Sequence, residues 1–305
     1  MPGKTATIAS KLKPVRFAPF FIDWTFKSVL GKKGGESLLM AIINDFLARV
    51  LPHPIKKIKN LPTELLGVAP KSKKVIFDIL CEDSVGDVYL LEMQNAKLKT
   101  GDDRIRFYIA RIQSEGLSSG AKSYRLPSNF FIGILNHKRN DSKFYFTEEG
   151  WYNLQTKELA NKKELKIFIE LPKFDKQASM CRSFRDKIIF LFKNLHLLEE
   201  RPVNFKEEIF DRVFVVAEIS KLNIDELKAF RYSMRYNIDE RQLAIDCAVE
   251  EATEEATAVA LAVGREQGMK KSSTRIAKTM LARGYSTTEI MGITKLSRKQ
   301  IKTLM

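Results

Sequence analysis

The segment 73–95 places carboxylates inside two short apolar runs that have the composition of paired β-strands. Residues 75–81 and 88–93 are rich in β-branched, aromatic and aliphatic side chains, and a short loop with Gly86 in its third position joins them. Glycine adopts the left-handed conformation required at the end of such a loop without steric cost, so the pattern predicts a β-hairpin. An ionised carboxylate in apolar surroundings needs a partner, a metal ion or a shifted pKa.

The predicted register brings two of these carboxylates together. Counting outward from the loop pairs Leu80 with Leu90 and Asp78 with Glu92. Directly opposed residues of an antiparallel pair have Cβ atoms roughly 4.5 to 5.5 Å apart, so both carboxylates could contact one divalent cation. Because side chains alternate along a strand, Gln94 is expected on the same face as Glu92.

A simpler interpretation of the hairpin stays open at this point. Its polar face could be solvated, with Asp78 and Glu92 held apart by the neighbouring Lys73 and Lys74 or by a nearby arginine. The sequence pattern alone does not separate this arrangement from a metal site.

Charge is the next constraint on function. The formal net charge is +15, with 52 Lys and Arg against 37 Asp and Glu among 305 residues. Such a field attracts polyanions, and nucleic acid is the expected partner. A solvated lysine-rich surface is the alternative.

Other classes of protein find little support in the sequence. The three cysteines are far apart and contain no Cys-x-x-Cys pair, which favours a reducing cytoplasm over a disulfide framework. No apolar run approaches the roughly 20 residues that span a bilayer, so we expect no membrane association. The histidines also lack metal-ligand spacing: His53, His137 and His196.

The order of predicted elements along the chain is typical of an α/β fold with a mixed sheet and flanking helices. A flexible tail is expected over 1–20 and the main domain over 21–239. The predicted helices are a helix that begins near residue 20, then 36–50, 104–118, 182–198 and 205–220, and the strands that follow the hairpin are 130–135, 143–152 and 166–171. A basic connection is expected over 51–74.

The C-terminal part has a different composition. Residues 240–269 are rich in Ala and Glu and predict a long exposed helical connector, which could self-associate through apolar residues at Leu243, Val249, Val259 and Val263.

Residues 270–305 carry nine basic residues against one acidic residue. Ser272 or Ser273, Ser286 and Ser297 are predicted helix N-caps, and Gly284 is a predicted helix end. The expected core is Ile276, Met280, Leu281, Ile290, Ile293, Leu296, Ile301 and Leu304. This pattern resembles a helix-turn-helix module that binds DNA; a basic helical hairpin that packs on another surface is the alternative.

Several short motifs occur in a fixed order along the chain. They are Asp23-Trp-Thr-Phe26-Lys27, Phe77-Asp78-Ile79, Gly86-Asp87-Val88-Tyr89, Glu92-Met93-Gln94, Arg106-Phe-Tyr108, and Gly120 followed by Tyr124 and Pro127. In this order the chain resembles the Rpn-type recombination-promoting nucleases, the PD-(D/E)XK nuclease family transposases. The resemblance implies a restriction-endonuclease-like core that hydrolyses DNA phosphodiesters with a divalent cation, usually Mg²⁺, with Mn²⁺ as an alternative.

The resemblance also implies roles for individual residues. Asp78 and Glu92 match the metal-binding carboxylates, Asp23 matches a further acidic position, and Gln94 stands where the wider superfamily has lysine. Together Asp78, Glu92 and Gln94 form the predicted catalytic set. The predicted DNA contacts are Arg104, Arg106, Arg111, Arg298, Lys299 and Lys302.

Three functions follow from these expectations. The first is a Mg²⁺-dependent DNA endonuclease that promotes recombination or transposition of mobile DNA. The second is a catalytically weak or inactive DNA-binding protein that retains the nuclease fold, since Gln94 can orient a water molecule but supplies no charge. The third is an assembly protein that oligomerises through residues 240–269.

Overall fold

The structure is a computed structural model that describes residues 15–65, 75–98, 101–115 and 126–304. The chain divides into two compact units, Met1–Ala244 and Ile245–Met305. No helix among the described residues is long and apolar enough to cross a membrane.

A mixed sheet forms the centre of the first unit. The strands of this unit in the described ranges are β1 (Ile58–Asn60), β2 (Glu64–Leu65), β3 (Val75–Ile76), β4 (Ile79–Asp83), β5 (Val88–Gln94), β6 (Asn129–Leu135), β7 (Phe146–Tyr152) and β8 (Leu159–Glu170). Six of them pair in the order β1-β4-β5-β6-β8-β7, and β2 pairs separately with β3. Strands β5, β6 and β8 run parallel, and the pairs β1/β4, β4/β5 and β7/β8 are antiparallel.

Helices flank the sheet, which confirms the predicted α/β class. The α-helices are α1 (Asp23–Phe26), α2 (Glu36–Phe46), α3 (Gly101–Glu115), α4 (Phe184–Asn194), α5 (Asp211–Val216) and α6 (Ile224–Ala282). Helix α1 continues as a π-helix over Lys27–Gly31. Single 3₁₀ turns are Leu171–Lys173, Ala178–Met180, Leu195–Leu197, Glu208–Phe210 and Ile219–Lys221.

Alternation along the central strands creates two cores on opposite faces of the sheet. Tyr89 and Leu91 of β5 belong to the larger core with the residues of α1, the π-helix, α2, α4 and α5. Leu90 faces the other way, into a smaller core covered by α3. The apolar positions of α3 in that core are Ile105, Ile109 and Ile112.

The hairpin has the predicted register but a different first strand. Leu80 lies opposite Leu90, and Gly86 has a φ of 86°, as its place in the loop requires. The run expected over 75–81 is broken at Phe77 and Asp78, so that β3 joins β2 in a separate sheet while β4 joins the main one. The break occurs because part of the expected connection, 51–74, supplies the strands β1 and β2.

Part of the predicted N-terminal tail belongs to the folded core. Residues 1–14 of the tail expected over 1–20 lie outside the described residues. Phe17, Ala18 and Phe20 are buried, and the Ala18 amide donates to the Ala217 carbonyl oxygen over 2.7 Å. The flexible boundary at residue 20 was therefore wrong for 15–20, because aromatic burial outweighs the polar composition of this stretch.

The second unit contains α7 (Thr287–Thr294), α8 (Arg298–Lys302) and the end of α6. Two capping boxes begin the short helices, Ser286 with Glu289 and Ser297 with Gln300, which confirms the predicted N-caps. Gly284 has a φ of 77° after the end of α6, as predicted for a helix end.

Two predictions for this unit were wrong. Ser272 and Ser273 do not begin a helix, because α6 continues through both residues. Ile276 and Ile293 are 40% and 63% exposed, since the buried helix faces are offset from them. The core is instead formed by Ala277, Met280, Ile290, Leu296 and Ile301, with Leu281, Met291 and Leu304 against it. The side chain of Leu243 in the connector lies outside the described residues.

Gly35 is predicted to be a position of the first unit that accepts no side chain larger than that of glycine. A Cβ atom there would lie 2.6 Å from the backbone carbonyl oxygens of both Val29 and Leu30, at the end of the π-helix. Gly35→Ala should therefore lower the free energy of unfolding by about 2 to 3 kcal/mol, as for an overpacked core. Gly101→Ala, with no described atom within 4 Å of its Cβ, is the matched control. Urea titration followed by fluorescence of Trp24 and Trp151 measures both, and equal midpoints would contradict the prediction.

Candidate active site

Asp78 directly precedes β4 and lies beside Glu92 of β5, at the point where the pairing of these two strands stops. The Asp78 amide donates to Glu92 Oε1 over 3.1 Å, and the Met93 amide donates to Asp78 Oδ2 over 2.8 Å. The side chain of Glu92 is 1% exposed and that of Asp78 is 20% exposed. Each carboxylate is thus held by a backbone N–H group, which fixes the direction of its second oxygen.

Two cations approach those second oxygens. Lys27 Nζ lies 3.5 Å from Asp78 Oδ1 and 2.7 Å from Asp23 Oδ1. Arg104 Nη2 lies 3.5 Å from Glu92 Oε2. The arginine predicted by the simpler interpretation of the hairpin is therefore present, whereas Lys73 and Lys74 lie outside the described residues.

The two cations come from opposite layers of the fold. Lys27 begins the π-helix, whose Val29 and Leu30 are buried in the larger core. Arg104 belongs to α3, which covers the smaller core on the other face. Its guanidinium carbon lies 5.3 Å from the centre of the Tyr108 ring, a cation–π contact that orients it.

Burial makes the acidic pair reluctant to ionise. It raises the pKa of Asp78 to about 6, although the ammonium of Lys27 opposes the shift. Burial and the neighbouring Asp78 carboxylate raise the pKa of Glu92 well above its ordinary value, against the effect of Arg104. The nearby cations therefore do not fully offset the cost of ionising both carboxylates. A bound divalent cation would supply the missing positive charge.

The available donors fit Mg²⁺. No cluster of three or more His, Cys, Asp or Glu residues that could hold a metal occurs within the described ranges. Mg²⁺ keeps several waters and is usually bound by only one or two protein carboxylates together with substrate phosphate. Asp78 and Glu92 offer such a pair. Asp23, whose side chain is 48% exposed, is linked to Asp78 through Lys27.

Gln94 follows the acidic pair along β5 and is partly buried. It borders a cavity of about 230 Å³ that lies at the carboxyl ends of the parallel strands β5 and β6. Other polar residues around this cavity are Lys97, Asp102, His137 and Arg139. The amide of Gln94 can donate and accept hydrogen bonds there but brings no charge.

The arginines predicted to contact DNA are in unlike environments. Arg104 is next to Glu92, and Arg106 is exposed, with a 3.4 Å ion pair to Asp103. Arg111 is only 8% exposed and lies on the buried side of α3, which disfavours its predicted DNA contact. Arg298, Lys299 and Lys302 are exposed on α8 of the second unit.

Sequence reasoning missed Lys27 and Asn95 as parts of this site. The signal for Lys27 was its position four residues after Asp23, since residues at this spacing meet on a helix. Asn95 donates from Nδ2 to the carbonyl oxygen of Phe21 over 2.7 Å. This bond ties the residue that follows β5 to the segment that precedes α1.

The raised pKa of Asp78 predicts a stability that depends on pH. The folded state holds the Asp78 proton more tightly than the unfolded state, whose ordinary pKa is 3.8, so unfolding becomes easier as pH rises from about 4 to about 6. Asp78→Asn removes this titration and still offers an oxygen to the Met93 amide. Without metal it should be more stable than the unmodified protein at pH 8, by on the order of 2 kcal/mol, and nearly equal at pH 4. Thermal unfolding at both pH values measures this, and a difference that does not change with pH would count against it.

The comparisons with known proteins agree with this geometry. A family model described as PD-(D/E)XK nuclease family transposase matches residues 20–248. Comparison with curated proteins and with solved structures gave no significant match. The six-stranded mixed sheet with flanking helices is consistent with a restriction-endonuclease-like fold. The match covers most of the chain, including both carboxylates at the broken strand, and the chain therefore belongs to the PD-(D/E)XK nuclease family transposases.

Proposed function

We propose that this protein is a metal-dependent DNA endonuclease whose active site is built on Asp78 and Glu92. The observation that carries the proposal is the carboxylate pair, in which each side chain accepts a hydrogen bond from a backbone N–H group of the facing segment. A structural role alone does not require two carboxylates so close together in surroundings that raise the pKa values of both. The family supports nuclease chemistry for such a pair.

Each residue of the site has a role suited to its chemistry. Asp78 and Glu92 would hold Mg²⁺, or Mn²⁺ as an alternative, and Asp23 would add a more exposed carboxylate. When bound, the ion polarises the phosphodiester and offsets the charge that develops during hydrolysis. Gln94 orients a water molecule by hydrogen bonding, and the guanidinium of Arg104 is positioned to contact a phosphate oxygen. Arg106 is exposed on the same helix, α3, and is proposed to contact the DNA backbone.

The second unit is proposed to bind DNA through α8. Arg298, Lys299 and Lys302 are exposed on this helix, which follows α7 after the short turn that contains Lys295. Two short helices joined by such a turn suit a helix-turn-helix role, in which the second helix enters the major groove. DNA bound in this way would serve recombination or transposition of mobile DNA. Self-association through 240–269 stays a prediction.

A DNA-binding protein without catalysis is the second candidate. Gln94 favours it, because the amide brings no positive charge to the position that the superfamily fills with lysine. The exposed cations of α8 would be retained for binding in that case. Both candidates predict DNA binding that weakens as the salt concentration rises, so salt dependence does not separate them. Only the first candidate predicts metal-dependent cleavage.

Supercoiled-plasmid cleavage tests the leading proposal. The unmodified protein should nick or cut plasmid with Mg²⁺ or Mn²⁺, and EDTA should abolish the reaction. Asp78→Asn and Glu92→Gln keep the shapes and the acceptor oxygens that the backbone uses, so each should retain the fold while lowering the rate at least about 100-fold. Asp141→Asn makes the same change at an exposed residue and should leave the rate unaltered.

Two results would count against the leading proposal. Cleavage that survives in both site variants would place the reaction elsewhere in the protein. Binding without any cleavage by the unmodified protein would instead favour the second candidate.

The role of α8 predicts a change in the salt dependence of DNA binding. Replacing Arg298, Lys299 and Lys302 with alanine should reduce the slope of log K against log salt by about one to three, because each lost phosphate contact reduces counterion release. The control replaces Lys270, Lys271 and Lys278, which are exposed on α6 and carry the same total charge. Fluorescence anisotropy with duplex DNA at several salt concentrations measures both. Equal slopes for the two variants would show that α8 has no special part in binding.

A further inference from the structure

The site lacks an ammonium at Gln94 but has one on another element. Lys27 Nζ lies between Asp23 Oδ1 and Asp78 Oδ1, at 2.7 Å and 3.5 Å. The Lys27 side chain is 33% exposed, so the charge is partly desolvated yet open on one side. An ammonium in this position is next to a carboxylate of the buried pair and remains accessible to a bound phosphate.

The backbone around Lys27 is held by side chains from segments that are distant in sequence. Its π-helix is anchored by Arg212, which donates from Nε to the carbonyl oxygen of Val29 and from Nη2 to that of Ser28, each over 2.9 Å. The amide of Trp24 donates to Ser233 Oγ over 3.0 Å. π-Helical turns are rare in proteins as a whole, but those that occur are often found at functional sites, where they change the direction of a side chain. Lys27 is thus presented by an element that is anchored on both sides of it by hydrogen bonds to the rest of the unit.

Charge balance alone is a weak reason for this placement. Asp23 already gives Lys27 a close exposed partner, and the contact to Asp78 is longer than that to Asp23. Glu92 has its own cation, Arg104, whose Nη2 lies 3.5 Å from Glu92 Oε2 and belongs to the helix on the other face of the sheet. The 3.5 Å separation leaves the ammonium free to donate to a further acceptor.

We propose that Lys27 is a catalytic residue of this nuclease and supplies the positive charge that Gln94 lacks. The inference rests on the proposed function. In phosphodiester hydrolysis a water oxygen forms a bond to phosphorus, the bond from phosphorus to one deoxyribose oxygen breaks, the water gives up a proton, and the leaving oxygen takes one. The ammonium of Lys27 stabilises the negative charge that develops on the phosphate oxygens during this exchange.

The first part of the test compares Lys27→Met with Lys33→Met. Both substitutions remove one ammonium, and Lys33 is an exposed residue of the loop that follows the π-helix. Single-turnover plasmid cleavage should fall about 100-fold in Lys27→Met. It should stay within about twofold of the unmodified rate in Lys33→Met, because the charge of a solvent-exposed residue is screened.

The second part moves the ammonium to the position of Gln94. Adding Gln94→Lys to Lys27→Met should raise the cleavage rate at least about tenfold over that of Lys27→Met alone, which corresponds to about 1.4 kcal/mol of restored transition-state stabilisation. Mn²⁺ binding, followed by electron paramagnetic resonance, is the readout that does not depend on cleavage. Lys27→Met should bind Mn²⁺ at least as tightly as the unmodified protein, because both carboxylates remain and a competing cation is gone.

The outcomes separate this inference from the proposed function. An unmodified protein that does not cleave DNA would overturn the proposed function, and the role of Lys27 with it. If the unmodified protein cleaves, a Lys27→Met rate within threefold of it would overturn the inference alone. Loss of Mn²⁺ binding or of the native thermal transition in both Lys27→Met and Lys27→Arg would also overturn it, by assigning Lys27 a structural role.

Discussion

Two side-chain carboxylates replace the backbone hydrogen bonds at the point where strands β4 and β5 separate. Buried N–H groups must be paired, and those of Asp78 and Met93 are paired by Glu92 and by Asp78 itself. Loss of either acceptor would leave a buried donor unsatisfied, at a cost of about 1 to 3 kcal/mol. The same hydrogen bonds therefore hold the strands together and aim the acidic oxygens, so local stability and chemistry depend on one another.

The helical layers on the two faces of the sheet each bring one cation to that pair of carboxylates. A single hairpin could present the two carboxylates but could not bring cations to them from both faces. Lys27 comes from the layer that packs on the larger core, and Arg104 comes from the helix over the smaller core. Each layer thus contributes one cation to the two neighbouring carboxylates, and the pKa values of both stay raised.

Features that depend on local chemistry were predictable from the sequence. The turn at Gly86 set the register of Leu80 with Leu90, and two serine caps set the helices of the second unit. The break at Asp78 was not predictable, because it depends on strands recruited from the preceding connection. Lys27 was missed for a similar reason: its contact with Asp78 arises only from packing between distant segments. The same limit applies to Arg111, whose burial follows from how α3 is rotated on the sheet.

The order in which these segments leave the ribosome bears on when the site is completed. The hairpin that carries the acidic pair is made of neighbouring residues and can pair soon after synthesis. The helix that carries Lys27 packs with late segments: Ala18 bonds to Ala217, and Trp24 bonds to Ser233. Contacts of such long sequence separation form slowly and need most of the chain. Lys27 is synthesised before the two carboxylates, but the contacts that anchor its segment need residues 217 and 233, so we expect the three side chains to come together only when the unit is nearly complete.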